Sequence, residues 1–570
     1  MKRKVALAGA LLVALRCGAA DDAAREIRIN QVGFAPAAQK IAVVPDGAAT
    51  GFSVIDSAGK TVLQGKLGAP AVWEASAEQV RLADLSPLKT AGSYRLRVDG
   101  LADSAPFTVA ESPYKTLNAA SIRAFYFNRA SIALTPEFAG VYARAAGHPD
   151  DKVLVHASAA SSTRPTGTVI ASPKGWYDAG DYNKYVVNSG ISTYTLLAAY
   201  EHYPAYFGQQ SVKLPESGNG IPDILNEALW NLDRMLSMQD PADGGVYHKL
   251  TNLSFDGVVM PDQARTPRYV VQKGTAAALD FAAVMAVASR VMAPYEAQRP
   301  GLSARMLAAA EAAWKWAKAN PARSYQQPAD VFTGGYGDKS LADEFAWAAA
   351  ELYISSGKGG YYAAFSEDQA RLDTPGWGNV RTLGWISLAH HLQRLGPEAD
   401  RARIAAGITA LAGQLRTEWN SSAYKVAMKK SDFVWGSNAV ALNQGMVLLQ
   451  AYRLNGPADD LRAAQSALDY VLGRNATGYS FVTGFGARSP MHPHHRPSEA
   501  DKVAAPVPGF VVGGPQAGQQ DKAGCRKPYQ SALPAKSYLD EHCSYASNEV
   551  AINWNAPLVY LSAGLDALTH

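Results

Sequence analysis

Apolar positions along this chain change their spacing near residue 112. Between 27 and 109 they alternate with polar ones over short stretches, as in Ile27-Arg28-Ile29, Lys40-Ile41-Ala42-Val43-Val44 and Ser93-Tyr94-Arg95-Leu96-Arg97-Val98. A period of two is that of strands with one buried face. The stretch from Phe52 to Leu63 reads as a hairpin with Gly59 in its turn. Such strands over roughly 85 residues suggest a small β-sandwich, and Ser112-Pro113 marks its end. From Tyr114 onward the spacing is helical: Ile224, Leu225, Ala228, Leu229, Leu232, Met235 and Leu236 recur on one face. The same spacing returns around 116–135, 191–203, 274–292, 303–319, 342–356, 380–395, 401–418, 437–454, 459–473 and 548–568. This predicts about eleven or twelve helices. No strand pattern alternates with them, so a parallel α/β sheet is not expected. Paired helices in that number suggest a helical barrel with a site built by the loops at one end. Periodicity does not distinguish a barrel from a solenoid.

Composition adds the frame. A chain of 570 residues, 48% hydrophobic and 18% charged, is a globular protein with a large core and more than one domain. The net charge of +4 is not gathered into basic runs, which argues against nucleic-acid or membrane-surface partners. The N-terminus reads as an export leader. Lys2-Arg3-Lys4 is its basic start, 5–15 its apolar middle, and cleavage is expected after Ala20. Arg16 before Cys17 argues against a lipoprotein site. No later apolar run is expected to span a membrane. The expected plan is therefore a leader at 1–20, a β-sandwich at 21–112 and a helical domain at 113–570, in an exported monomer, periplasmic or secreted. Cys17 leaves with the leader. Cys525 and Cys543 remain and are predicted to pair in an oxidising compartment, ordering the segment that leads to Asn548-Glu549.

Three loops hold the candidate chemistry. In Gly175-Trp176-Tyr177-Asp178-Ala179-Gly180-Asp181-Tyr182-Asn183-Lys184-Tyr185, two carboxylates lie three residues apart among aromatic rings. Paired carboxylates can hold and deprotonate a water, and rings can cover the apolar face of a sugar. The same residues also suit a plain turn. The second loop, Thr483 to Pro497, sets His492, His494, His495 and Arg496 within five residues. These can donate hydrogen bonds to a sugar or bind a metal. No Cys or acid stands beside them, which favours substrate over zinc. The third loop runs through Tyr538-Leu539-Asp540 to Glu549, just before an apolar helix. There Glu549 could act as an acid or cap the helix.

Together these loops resemble the signatures of family 9 glycoside hydrolases, in the subgroup with an N-terminal immunoglobulin-like domain. Further matching segments are Asn219-Gly220-Ile221-Pro222-Asp223, Gly244-Gly245-Val246-Tyr247-His248-Lys249, Asp343-Glu344-Phe345-Ala346-Trp347-Ala348, Val434-Trp435-Gly436-Ser437-Asn438 and Leu472-Gly473-Arg474-Asn475. The resemblance covers nearly all of the mature chain. It implies a mainly α fold, an (α/α)6 barrel preceded by a small immunoglobulin-like β-sandwich, and hydrolysis of β-1,4-glucan with inversion. By this resemblance Asp181 is the catalytic base, Asp178 helps hold the attacking water, and Glu549 is the general acid. His494 and Arg496 match a substrate-contacting His-x-Arg. His248, Trp435 and Trp554, with Tyr177 beside the carboxylates, fall where the cleft is lined. Asp540 matches a signature acid of unassigned role. Inversion needs acid and base about 6.5–9.5 Å apart, with Glu549 held protonated by a less polar setting and nearby negative charge.

The resemblance also bears on metals. Many members with this N-terminal domain hold zinc with two Cys and two His. Here Ala130 and Gly147 replace the cysteines and His148 remains, which leaves too few donors. Asp343 and Glu344 match a calcium position, with Asp338 near them. The same acids could simply start a helix. No cellulose-binding module or dockerin-like segment is recognisable, which points away from crystalline cellulose. Three activities stay open: an endoglucanase on soluble or amorphous glucan, an exo-acting enzyme on cello- or amino-sugar oligomers, and a catalytically inactive glucan-binding protein.

Overall fold

The computed structural model describes residues 26–569. The expected leader at 1–20, Cys17 included, lies outside them. The alternating segment forms two packed sheets. One has the order Gly33–Phe34, Phe107–Val109, Gly92–Arg97, Gly51–Asp56, Thr61–Lys66; the other joins Ile41–Pro45, Glu78–Asp84 and Ala71–Trp73. The predicted hairpin is present, and Gly59 turns it at φ +79°, a conformation that favours glycine. Phe34, Val54, Leu96 and Phe107 fill the space between the sheets.

Six helices, Val186–His202, Thr275–Met292, Ala342–Ser356, Arg381–His390, Ser437–Arg453 and Ile552–Leu568, pack each on the next, and the last packs on the first. Nearly every residue of Thr275–Met292, Ser437–Arg453 and Ile552–Leu568 is buried. They are enclosed all round, so Thr275–Met292 is apolar on nearly every face, while the other two also bury polar side chains such as Asn438, Gln450 and Asn555. Six others, Lys115–Phe127, Asp223–Ser237, Leu302–Ala319, Gly359–Ser366, Arg401–Ser421 and Ala458–Val471, form the outer ring. Leu302–Ala319 buries Leu302, Met306, Ala309, Ala310, Ala313, Trp316 and Ala317 and leaves its opposite face to solvent, as an outer helix must. This is an (α/α)6 barrel, not a solenoid.

Three expectations need correction. The first helix ends at Phe127 and that of 380–395 at His390, so periodicity overran both C-termini. Strands do occur among the helices: Val153–Val155, Val169–Ile170, Lys184–Tyr185, Lys249–Thr251 and Tyr269–Val270 make one five-stranded sheet. At two or three residues each they are too short to show a period. Thr275–Tyr295 is also long and apolar enough to cross a membrane, contrary to the reading that no such run exists. In the structure it is a wall of the barrel, with 89% of its most apolar window buried.

The sandwich is fastened to the barrel through Asn30. Its Nδ2 donates to Asp469 Oδ1 at 2.9 Å and to Tyr114 Oη at 3.2 Å. Trp73 packs on Tyr424 with ring centroids 4.3 Å apart, and Tyr424 donates to Glu78.

Candidate active site

At one end of the barrel the loops border an open cleft of about 800 Å³. Asp178, Asp181 and Glu549 all line it. The loop carrying the two aspartates is closed by Asp178 N–H donating to the Asn183 carbonyl at 3.1 Å. It then enters the strand Lys184–Tyr185, paired antiparallel to Lys249–Thr251. The small unpredicted sheet thus pins the loop immediately after its second carboxylate.

Gly180 is required here by proximity rather than by backbone conformation. A Cβ at this position would lie 2.4 Å from the His494 carbonyl oxygen and 2.5 Å from its Cδ2. The Gly180 N–H donates to Glu549 Oε1 at 3.3 Å, and Arg496 Nη1 donates to the Gly180 carbonyl at 2.6 Å. The His494 N–H donates to the Asn548 carbonyl at 2.8 Å. Thus all three candidate loops meet at Gly180. Asp540 ties two of them together, accepting from the N–H groups of Met491 and His492 and from Asn548 Nδ2. Cys525 and Cys543 are bonded, with Cα atoms 5.4 Å apart, and the segment between them carries Asp540.

The two aspartates are dressed differently. Asp178 has a partner on each oxygen: Oδ1 accepts from Asn188 Nδ2 and Oδ2 from Tyr336 Oη, both at 2.7 Å. Burial, then the neighbouring Asp181 charge, push its pKa up, against those two hydrogen bonds. Asp181 receives Asn183 Nδ2 at 2.5 Å and Tyr185 Oη at 3.1 Å, both on Oδ2. Its Oδ1 faces the cleft without a hydrogen-bond partner among the described residues. Glu549 is raised well above the carboxylate range, first by burial and then by Asp181 and Asp178.

Three of the four flanking rings do not face the cleft as expected. Trp176, Tyr177 and Tyr182 are buried. Trp176 Nε1 donates to Glu227 at 2.7 Å, and Tyr177 Oη pairs with His148 Nδ1 at 2.8 Å. They anchor the loop from beneath, so Tyr177 is removed from the substrate-binding set. His248 is likewise buried: its ring stacks on Tyr325 at 3.9 Å, and Nε2 donates to the Gly335 carbonyl. Arg496 is committed to the carbonyls of Gly180 and Asp256, and His494 Nδ1 donates to the His542 carbonyl at 2.6 Å. Trp435 and Trp554 do line the cleft, Trp435 with 44% of its surface open. Of the other cleft rings, Tyr185 is one of the flanking rings expected there, whereas Phe255, Tyr336 and Trp377 were not foreseen. Tyr336 sits in a Gly-rich loop at φ +46°, a strained conformation for a tyrosine. Nothing in its one-dimensional context signals that its hydroxyl reaches Asp178.

The same loop leads to a group of buried acids. Both carboxylate oxygens of Asp280 and of Glu344, Asp338 Oδ2 and Asn379 Oδ1 are buried without hydrogen-bond partners. Asp343 accepts the Val380 N–H at 2.9 Å. Burial and mutual repulsion raise Asp280 and Glu344. Among the described residues no three His, Cys, Asp or Glu side chains alone form a metal-holding group, so an amide or backbone oxygen would have to complete a shell. The donor chemistry, all hard oxygen, fits calcium. At the zinc position it does not fit. Ala130 packs with Tyr177, Tyr182 and Ala264 in an apolar cluster. A Cβ on Gly147 would lie 2.4 Å from Pro261. One imidazole, His148, remains there.

Comparison with known proteins agrees with this architecture. The family described as "Glycosyl hydrolase family 9" matches residues 114–562, and that described as "Cellulase N-terminal ig-like domain" matches 22–103. The xyloglucan-specific endo-beta-1,4-glucanase BoGH9A of Bacteroides ovatus is 45% identical over 571 residues, covering 95% of this chain and 94% of its own length. Endoglucanase D of Acetivibrio thermocellus is 31% identical over 547 residues, covering 94% and 83% respectively. The solved structure of Bacteroides ovatus GH9 superposes with a TM-score of 0.89 at 43% identity, covering 96% of this chain and all of the other.

Proposed function

The chain belongs to glycosyl hydrolase family 9, and from that premise we propose that it is an endo-β-1,4-glucanase that cleaves with inversion. The reading rests on one observation above the rest. Glu549 Oε1 accepts the N–H of Gly180, the residue between the two aspartates, so acid and base candidates face one cleft from separate loops.

Asp181 is the base. Its Oδ1 is free for a water, while Asn183 and Tyr185 hold Oδ2 in place. Asp178, held by Asn188 and Tyr336, stands beside Asp181 in the same cleft and helps position that water. Glu549 is kept protonated by burial and by the two aspartates, and it delivers that proton to the leaving glycosidic oxygen. Water attacks the anomeric carbon from the face opposite the leaving group, and Asp181 takes its proton. Bond breaking and attack on opposite faces invert the anomeric centre. Trp435, Trp377 and Phe255 supply flat apolar surface for the glucan chain.

Calcium, where bound, would draw donors from among Asp280, Asp338, Asp343 and Glu344, with Asn379 or a backbone oxygen needed to complete the shell, and would neutralise their crowded charge. Export to an oxidising compartment suits the Cys525–Cys543 bond and the leader-like N-terminus. The relative specific for xyloglucan makes that branched glucan a candidate substrate beside unbranched cellulose-type chains.

Asp181→Ala and Glu549→Gln are each expected to lower kcat on soluble β-1,4-glucan by at least about 10²–10⁴-fold, with unchanged circular dichroism. The wild type is expected to release products of several lengths from the first minutes. Near-normal turnover in either folded variant would remove the assignment, and a single product size from the start would mean exo action.

A further inference from the structure

The strand Lys249–Thr251 begins with a lysine that the mechanism above does not use. Lys249 is fully buried and does not line the cleft. Its ammonium donates to three uncharged oxygens: the Gly334 carbonyl at 2.6 Å, Thr333 Oγ1 at 3.0 Å and Gln327 Oε1 at 3.2 Å. Burying a charge is costly unless hydrogen bonds and an opposite charge offset it. Here the opposite charge is that of Asp181. Burial pulls the Lys249 pKa down to about 7, and Asp181 pulls the other way.

The acceptors place Lys249 at the root of the Gly-rich loop. The neighbouring His248 holds the next carbonyl, that of Gly335, at 2.7 Å. Two successive residues thus grip two successive peptide units. The gripped loop reaches both aspartates. The Gly334 N–H donates to Tyr185 Oη at 3.1 Å, and Tyr185 Oη donates to Asp181 Oδ2 at 3.1 Å. A hydroxyl that accepts from an N–H turns its single proton to its other partner, so Gly334 aims the Tyr185 proton at the base. Two residues on, Tyr336 Oη donates to Asp178 Oδ2 at 2.7 Å. The Lys249 ammonium also lies 5.5 Å from the centre of the Tyr185 ring, within cation–π range. Lys249 therefore meets Tyr185 at its ring and, through Gly334, at its hydroxyl.

We propose that Lys249 is a positioning residue for the hydrolysis, clamping the loop 333–336 so that the Tyr185 hydroxyl stays on Asp181 and the Tyr336 hydroxyl on Asp178. The proposal rests on the glucanase reading above and adds what holds its base in place. The test is steady-state kinetics of the full-length enzyme on cellohexaose, well below the Tm of each variant. Lys249→Met keeps the length of the side chain and removes the ammonium. It is expected to lower kcat by at least about tenfold and to leave KM within about twofold. Tyr185→Phe is expected to show the same split. Because both act on one carboxylate oxygen, the double variant is expected to lose at least about fivefold less than the product of the single losses. Lys249→Gln, which keeps a donor for the Gly334 carbonyl, is expected to lose less than Lys249→Met and serves where that variant does not fold. A lysine that only stabilises the fold would lower Tm and leave kcat unchanged. Full kcat in a folded Lys249 variant, a loss carried by KM, or losses that simply multiply would each overturn the proposal and leave the glucanase reading standing. Full kcat in Tyr185→Phe overturns it whatever the Lys249 variants do. Wild-type enzyme that does not cleave cellohexaose or soluble β-1,4-glucan removes that reading and this one together.

Discussion

Each of the three carboxylates takes its role from what surrounds it rather than from its type. Among the described residues Asp178 has Asn188 and Tyr336 on its two oxygens, Asp181 keeps one oxygen free, and the Glu549 carboxyl meets only the Gly180 N–H. Their spacing in the chain suggested a pair and a partner, whereas the hydrogen bonds that separate base from support come from positions no motif flags. Tyr336 is the clearest example, since its loop is a run of glycines in sequence. Conversely, Tyr177 and His248 looked like cleft residues because they adjoin signature positions. Both point inward, because the site's framework needs buried anchors as well as ligands. The raised pKa of Glu549 has a consequence for stability. A carboxyl whose folded pKa exceeds its unfolded one holds an extra proton in the folded state, so its contribution is full below the unfolded pKa of about 4.3 and is lost as pH rises. Glu549→Gln cannot ionise and escapes that loss. Its Tm is therefore expected to exceed the wild type's at pH 8, with the gap closing toward pH 4. Differential scanning calorimetry at both pH values decides this, and a gap independent of pH would contradict it.

At the scale of elements, the long helices were legible because burial imprints a period, while the short strands were not. Lys184–Tyr185 and Lys249–Thr251 are two of the elements that matter most, since they hold the aspartate loop against the barrel. Two or three residues cannot display alternation, and their strand state is dictated by partners far along the chain. The glycine at the centre of the site was legible as a turn residue, yet its role is different. Gly180 is the contact point of three loops, and a methyl group there would enter the His494 backbone. Gly180→Ala is expected to cost about 1–3 kcal/mol of stability and to lower kcat by about 10² or more through displaced carboxylates. Chemical denaturation and steady-state kinetics on one preparation measure both. A full-activity variant would mean that the loops do not depend on this close approach.

The whole molecule is a closed ring of helices with a sandwich docked on its side, and the acids around Asp280 and Glu344 are its least satisfied interior. They join the inner helices Thr275–Met292 and Ala342–Ser356 to the loop that delivers Tyr336 to Asp178. Removing calcium with a chelator is therefore expected to lower Tm by several degrees and to reduce kcat, with both restored by added calcium. A thermal scan insensitive to chelator and calcium would contradict this. The barrel was foreseen from helix number together with the family resemblance, because periodicity alone does not show that the sixth inner helix returns to the first. The packing of Ile552–Leu568 on Val186–His202 supplies that closure, and it sets Glu549 opposite Asp181. Everything in this site follows from water entering on the face opposite the leaving oxygen. Proton NMR of a β-1,4-glucan oligomer during its first minutes with the enzyme tests this most directly. The new reducing ends are expected to appear first as the α-anomer; first appearance of the β-anomer would mean retention and rule out inversion by Asp181 and Glu549.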